Sequence, residues 1–296
     1  MDVPNREIIG RYLRHAKRFP HIWCPGCGNG IVLGCLLRAI DALGWSKDDV
    51  VLVSGIGCSS RAPVYVDFNT LHTAHGRALA FATGIQMVRP KLHVVVIMGD
   101  GDAVGIGGNH FIHACRRNID MTAVVINNFI YGMTGGQQSP TTPQGALSST
   151  SVYGTLDQPF DIAGLAASAG ATFSARSTTY HVKELEKLLK AAFRHKGFSV
   201  VEAIAACPTT YGRRNRQGGA VDMMKWQKKV AVSAKKAAGM TPEELHGRIV
   251  TGVLVDRDAP EYTEEYDRIR RAAAEGKRVA FRPQPGDVTS TRAKEY

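Results

Sequence analysis

The sequence predicts an α/β fold: a doubly wound, mostly parallel sheet. Three observations predict it. Short continuous apolar runs recur (VVLV, HVVVIM, TAVVI, SVVEAI), the pattern of strands buried on both faces. Stretches with helical spacing lie between them. Glycines and ligand-type side chains follow the runs directly, at the carboxyl ends of strands, where open α/β sheets bind their ligands.

Taken in order, residues 50–53 read as a strand entering the Gly55-Ile56-Gly57 turn. Residues 74–88 carry the period of an amphipathic helix and stop before Pro90, which cannot continue one. Residues 93–98 and 122–126 read as buried strands. A helix is expected over 182–195, with Leu185, Leu188, Leu189 and Ala192 on one face. Residues 199–204 are the last core strand and deliver Cys207 at its carboxyl end. The turn-rich stretch 132–151 reads as an ordered cofactor loop followed by a substrate-side loop. Beyond Pro208, charge rises and strand pattern thins. Thr241 and Pro242 open a short helix as N-cap and first helical residue, and 250–255 has a strand pattern. The closing FRPQPGDVTSTRAKEY reads as an irregular tail. No internal repeat is present. The expected division is a core domain with an N-terminal arm over 1–210 and an extension over 211–296.

Composition sets the bounds. With 296 residues, 44% of them hydrophobic, the chain can bury a substantial core. No apolar run approaches the roughly 18 residues of a membrane span. The N-terminal MDVPNREIIGRYLRHAKR lacks the apolar stretch of a secretory signal. A cytoplasmic protein is expected. The net charge of +11, from 37 basic and 26 acidic residues, favours an anionic partner. Arg213, Arg214 and Arg216 precede Lys225, Lys228, Lys229, Lys235 and Lys236. Taken singly, each reads first as part of a solvated surface.

The richest stretch is LHVVVIMGDGDAVGIGGNHFIHACRRNIDMTAVVINNFIYGMTGGQQSP. One apolar run ends in Gly99-Asp100-Gly101-Asp102 and the next in Asn127-Asn128, with residues 102–126 between Gly101 and Asn127. An acid ending one parallel strand and an amide ending the next can hold one hard cation between them. Oxygen ligands suit Mg²⁺, which commonly bridges a carboxylate to a ligand phosphate. Glycines beside Asp100 let backbone N–H groups approach an anion, and the following helix points its positive end there. The pattern therefore reads as a Mg²⁺–diphosphate site. A G-x-G-x-x-G dinucleotide fingerprint fails on residues: position 104 is valine, and His110 stands where Gly105-Ile106-Gly107 needs its third glycine. The bland alternative is a tight strand–helix turn that simply requires glycine.

Six cysteines in a cytoplasmic chain are not expected to pair as disulfides. Cys24 and Cys27 form a C-x-x-C inside HIWCPGCGNG, Cys58 stands in GIGCSSR and Cys207 in CPTT. Taken alone, the C-x-x-C fits a zinc knuckle, a redox dithiol or half of an iron–sulfur site. Four cysteines from three loops suit a [4Fe–4S] cube without proving one. Cys35 and Cys115 lie on apolar helical faces and read as small buried hydrophobes. His72, His110 and His113 read as packing or loop histidines, since no carboxylate pair completes a zinc site with them.

Read together, HIWCPGCGNG, GIGCSSR, LHTAHGRALAFATGIQ, MGDGDAVGIGGNHFIHACRRN, NNFIYGMTGGQQSPTT and the later CPT resemble the β subunit of 2-oxoacid:ferredoxin oxidoreductases, most closely the 2-oxoglutarate type. The resemblance runs from about Trp23 to Arg216, in the family's motif order. It implies the diphosphate-binding half of a thiamine diphosphate (ThDP) enzyme. In that family four cysteines hold one [4Fe–4S] cluster, and the matching positions are Cys24, Cys27, Cys58 and Cys207. The matching Mg²⁺ ligands are Asp100, Asn128 and the main-chain oxygen of Ile130. Gly101, Asp102, Gly132, Met133 and Thr134 would surround diphosphate and thiazolium. Ile56, Gly57, Cys58 and Ser59 would wall the pocket on the cluster side, and His75 would lie over the cofactor.

The activity implied is oxidative decarboxylation of a 2-oxoacid, with coenzyme A taking the acyl group and electrons passing singly through the cluster to ferredoxin; the same chemistry runs in reverse as reductive carboxylation. Arg61, after Cys58-Ser59-Ser60, could pair with the distal carboxylate of 2-oxoglutarate, since guanidinium binds carboxylate bidentately; equally it could hold its own loop. ThDP enzymes also need a pyrimidine-binding domain with a glutamate, and no second α/β half follows Pro208. An α subunit must then complete the site. Two other classes compete: a non-oxidative ThDP decarboxylase subunit, which leaves four cysteines idle, and a zinc-stabilised nucleic-acid-binding module, which leaves Asp100 and Asn128 unexplained. Neither nucleic acid nor membrane is expected as a partner.

Overall fold

The computed structural model describes residues 5–15 and 20–279. The expected irregular tail lies outside that range. Strands run β1 Val50–Ser54, β2 Asn69–His72, β3 His93–Gly99, β4 Met121–Asn127, β5 Ile130–Tyr131, β6 Gln137–Gln138, β7 Phe173–Thr178, β8 Phe198–Ile204, β9 Ala231–Ser233 and β10 Ile249–Asp256. Helices run α1 Asn5–Tyr12, α2 Asn29–Leu43, α3 Ala62–Tyr65, α4 Ala78–Val88, α5 Gly108–Arg117, α6 Ile162–Ser168, α7 Val182–Arg194, α8 Ala220–Val230, α9 Ala234–Ala237, α10 Pro242–Leu245 and α11 Tyr262–Ala274.

The main sheet has the order β2-β1-β3-β4-β8-β7-β10-β9, and its first six strands are parallel. Alternate side chains feed two cores. Val50, Leu52, Val95, Ile97, Val124 and Val201 face α1, α2 and α7. Val51, Val53, Val94, Val96, Val125 and Val200 face α4, α5 and α6. Both faces are dry, which is why these strands read as unbroken apolar runs. The expected doubly wound sheet is present.

The expected strands at 50, 93, 122, 199 and 250 and the helix at 182 form with end shifts of a residue or so. β10 pairs antiparallel with β7 and parallel with β9, so residues beyond 210 extend the same sheet. The helix expected from residue 74 begins only at Ala78. Gly76 takes φ +71°, and its N–H donates to Asp102 Oδ1 at 2.6 Å, a side-chain tether that displaces the first helical turn. The helix expected directly after Asp100 is likewise delayed. Residues Gly101–Gly105 make a widened π-type turn before α5, a feature frequent at functional sites.

Candidate active site

Four strand ends converge. Cys58 follows β1, Asp100 follows β3, Asn128 follows β4, and Cys207 follows β8. Between them opens a cleft of about 640 Å³ lined by Asn29, Ile56, Gly57, Cys58, Ser59, His75, Asp100, Gly101, Asp102, Asn128, Ile130, Tyr131, Gly132, Met133 and Thr134. A second cleft of about 580 Å³ adjoins it and shares Cys58, Asn128, Gly132 and Met133. Cys24, Cys27, Cys207 and Arg61 line this second cleft.

Asp100 is buried, and burial pushes its pKa up against the opposing pull of its hydroxyl partners. Oδ2 accepts from Ser139 Oγ and Thr141 Oγ1, each at 2.6 Å. Oδ1 faces the end of the Asn128 amide at 3.3 Å, and that same amide end lies 2.7 Å from the Ile130 carbonyl oxygen. With nitrogen placed there, Asn128 donates to both; with oxygen there, three oxygens face one another. Phe129, between Asn128 and Ile130, holds φ +65°, a conformation unusual for a bulky residue. This backbone turn points the Asn128 side chain and the Ile130 carbonyl the same way.

His75 and Asp102 form a second unit. Asp102 is buried, and burial raises its pKa. Its Oδ1 takes His75 Nδ1 at 2.7 Å together with the Gly76 N–H, which fixes the imidazole ring at the mouth of the cleft. Its Oδ2 is buried without a hydrogen-bond partner, as are Asn29 Oδ1 and Ser59 Oγ. Buried polar atoms are rarely left unpaired, so three such atoms around one cleft mark it as built for a polar ligand.

The four thiols of the second cleft act on one another. Burial pushes Cys58 up to about 11, and the neighbouring Cys27, Cys207 and Cys24 reinforce that rise. A β-carbon on Gly132 would sit 3.5 Å from Cys207 Sγ and 3.8 Å from Cys58 Sγ, so the glycine leaves the space between two sulfurs open. Cys27 Sγ accepts from Asn29 Nδ2 at 3.0 Å, and the Trp23 indole donates to the Cys58 carbonyl at 2.7 Å. Among the described residues, no three His, Cys, Asp or Glu side chains converge tightly enough for a single ion. The four sulfurs border a cavity instead. By contrast Cys35 and Cys115 are fully buried, with thiols pushed by burial to about 11 and about 12.

Comparison with known proteins bears on this geometry. The family described as thiamine pyrophosphate enzyme, C-terminal TPP binding domain, matches residues 55–203. The 2-oxoglutarate synthase subunit KorB of Methanocaldococcus jannaschii is 51% identical over 259 residues, 88% of this chain and 96% of the relative. The KorB subunit of Archaeoglobus fulgidus is 62% identical over 198 residues, 67% of this chain and 73% of the relative. The chain belongs to the KorB family of 2-oxoglutarate synthase subunits. A solved structure, 2-oxoglutarate:ferredoxin oxidoreductase from Magnetococcus marinus with 2-oxoglutarate, coenzyme A and succinyl-CoA bound, is similar with a TM-score of 0.80 and 34% identity, covering 92% of each chain. Membership assigns a thiamine diphosphate-binding domain to the α/β core described above.

Every site residue expected from the sequence lines one of the two clefts. Arg61 Nη2 lies 3.9 Å from Met133 Sδ, at the junction of the two. Thr134 hydrogen-bonds Gln137 through its hydroxyl. Four further participants lie inside the quoted motifs but were not singled out there. Tyr131 lies over Gly101 and donates to its carbonyl at 3.1 Å. Ser139 and Thr141 bind Asp100 from a distant loop, and Asn29 reaches the cleft from the start of α2. His72, on β2, instead bonds Ser54 on β1, and His110 and His113 lie on α5.

Proposed function

We propose that this chain is the ThDP-binding β subunit of a 2-oxoglutarate:ferredoxin oxidoreductase, completed by an α subunit. The reaction converts 2-oxoglutarate and coenzyme A to succinyl-CoA and CO₂, and two electrons leave one at a time for ferredoxin. The observation that carries the reading is the pair of clefts sharing Cys58, Asn128, Gly132 and Met133: one has an oxygen-lined floor, the other four thiols.

The residues fit the groups implied. Asp100, Asn128 and the Ile130 carbonyl would hold Mg²⁺. The two oxygen separations at Asn128, 2.7 and 3.3 Å, are close to the roughly 3 Å between neighbouring oxygens of an octahedral ion with ligands at about 2.0–2.1 Å. Cys24, Cys27, Cys58 and Cys207 would hold one [4Fe–4S] cluster, one sulfur per iron, which suits thiols around a cavity better than thiols meeting at a point. The bound coenzyme supplies the electron sink that makes loss of CO₂ possible.

This chain positions and shields the reaction. Gly101 and Gly132 leave room for the ligand, and Met133 and Ile56 present apolar surface to it. His75, oriented by Asp102, offers Nε2 as a donor or acceptor to the bound substrate. Arg61, between the clefts, pairs with the distal carboxylate of the 2-oxoacid. The extension over 211–296 packs on the α subunit. Tyr262, Tyr266 and Ile269, spaced i, i+4, i+7 along α11, make an apolar stripe that is 37–51% exposed on this chain alone.

An anaerobic assay of the co-purified αβ complex with several 2-oxoacids, coenzyme A and a viologen dye tests the reading. CoA-dependent dye reduction fastest with 2-oxoglutarate is expected; CoA-independent CO₂ release without dye reduction would overturn it. Arg61→Met should weaken kcat/KM for 2-oxoglutarate about tenfold more than for pyruvate, consistent with loss of a charge-assisted bond worth about 1.5–3 kcal/mol. Equal losses would remove Arg61 from substrate recognition.

A further inference from the structure

Behind the oxygen-lined floor runs a buried chain of polar groups. Asp161 and Arg176 form an ion pair at its outer end. Arg176 Nε donates to Glu202 Oε2 at 2.6 Å, and the Ala163 N–H approaches the same oxygen at 3.3 Å. Glu202 Oε1 accepts from Asn127 Nδ2 at 2.8 Å. Asn127 Oδ1 in turn accepts from the Phe129 N–H at 3.1 Å and lies 2.9 Å from Thr141 Oγ1, whose one proton it shares with Asp100. Thr141 Oγ1 also reaches Asp100 Oδ2 at 2.6 Å. Glu202 and Asn127 are only 2–3% exposed.

The amide of Asn127 therefore holds both halves of the oxygen floor. Through Phe129 it fixes the strained turn that aims Asn128 and the Ile130 carbonyl. Through Thr141 it shares the one hydroxyl proton that also reaches Asp100, which couples the two oxygens. It does so in one orientation only, with oxygen toward the floor and nitrogen away. A rotated amide would present N–H to the Phe129 N–H, donor against donor. Glu202 enforces the same orientation from the other side: Arg176 and the Ala163 N–H occupy Oε2, which leaves Oε1 to accept from the Asn127 NH₂.

We propose that Glu202, backed by Arg176, is a positioning residue for the cation site: it sets the Asn127 amide and thereby the geometry of Asp100, Asn128 and Ile130. The inference rests on the reading of those three as Mg²⁺ ligands. Partners one step behind metal ligands typically govern affinity by about 10–100-fold. In Glu202→Gln, isosteric but carrying a donor, the new amide must turn its oxygen to Arg176 and the Ala163 N–H, and its NH₂ then forces Asn127 to rotate.

The test uses the anaerobic αβ complex stripped of Mg²⁺ and ThDP, titrated with Mg²⁺ at fixed ThDP while retained ThDP is counted after ultrafiltration. Wild type should retain ThDP only with Mg²⁺; retention independent of Mg²⁺ would overturn the site reading itself. Given wild-type dependence, Glu202→Gln should raise the half-saturating Mg²⁺ about tenfold or more, and an unchanged value would overturn the positioning role alone. Thr141→Val should raise it as well, with Thr141→Ser close to wild type, and adding Glu202→Gln to Thr141→Val should bring less than its own single effect. Full multiplication of the two effects would mean that Glu202 acts by another route. Should Glu202→Gln fail to fold, the Thr141 pair decides: no difference between Val and Ser overturns the proposal.

Discussion

At Gly101, a β-carbon would lie 2.2–2.3 Å from the Tyr131 ring, closer than real contacts permit. A β-carbon on Gly105 would likewise lie 2.5 Å from the Tyr131 hydroxyl, so the ring packs on two glycines. Gly101→Ala must therefore displace Tyr131, which lines the cleft proposed for the coenzyme. Overpacking of this kind costs about 1–3 kcal/mol, so ThDP binding to the αβ complex should weaken about tenfold. The four cysteines lie on other loops, so the brown visible absorption of the proposed cluster should persist. Cofactor titration followed by a visible spectrum separates the two effects. Unchanged ThDP affinity would show that Tyr131 does not wall the coenzyme.

At the scale of elements, His195 follows α7 directly, near the amino end of β8 and away from the cleft at the strands' carboxyl ends. Its side chain is nearly buried, bonds Thr172 Oγ1 through Nε2 at 2.7 Å, and lies 3.5 Å from Asp256. Burial lowers its pKa despite the nearby acids. Below the unfolded value of 6.5 the unfolded chain therefore binds more protons than the folded one, and stability declines as pH falls through that value. Melting temperature should drop between about pH 7.5 and pH 5.5, and His195→Gln, which keeps a partner for Thr172, should flatten that slope. An identical slope in the variant would assign the acid sensitivity elsewhere. How far elements were legible follows the same physics. β1, β3, β4 and β8 read as strands because both faces are apolar. β7, FSARST, lies just as deep but carries Ser174, Arg176 and Ser177, whose partners Ala163, Glu202 and Glu184 come from other elements. Asp100 and Asn128 sit in short motifs after strand ends and were visible as candidates, whereas the Ile130 carbonyl entered only through the family resemblance. Ser139, Thr141, Asn29 and Glu202 were not visible as candidates, since each acquires its role only when the sheet brings distant segments together.

On the scale of the whole molecule, the thiol-lined cleft and the positive charge share one region. The Cys24–Cys27 turn packs on α8, where a β-carbon at Gly26 would meet the Ala220 side chain at 2.1 Å. Cys24 is exposed there. Arg213, Arg214 and Arg216 precede α8, and Lys225, Lys228 and Lys229 stand on it, all exposed. With a net charge of +11 behind it, this surface would draw the acidic electron carrier proposed above toward the sulfurs. Such steering acts over about 8 Å at physiological ionic strength and about 3 Å at 1 M. The second-order rate of electron transfer to an acidic ferredoxin should therefore fall about tenfold or more between dilute and molar salt. Replacing Lys228 and Lys229 with glutamate should lower the low-salt rate by about tenfold and make the salt dependence shallower. Turnover at saturating carrier should change little, because neither lysine touches the clefts. If the doubly substituted complex shows the wild-type salt slope, the carrier docks on another face, and the basic surface around α8 serves the α subunit instead.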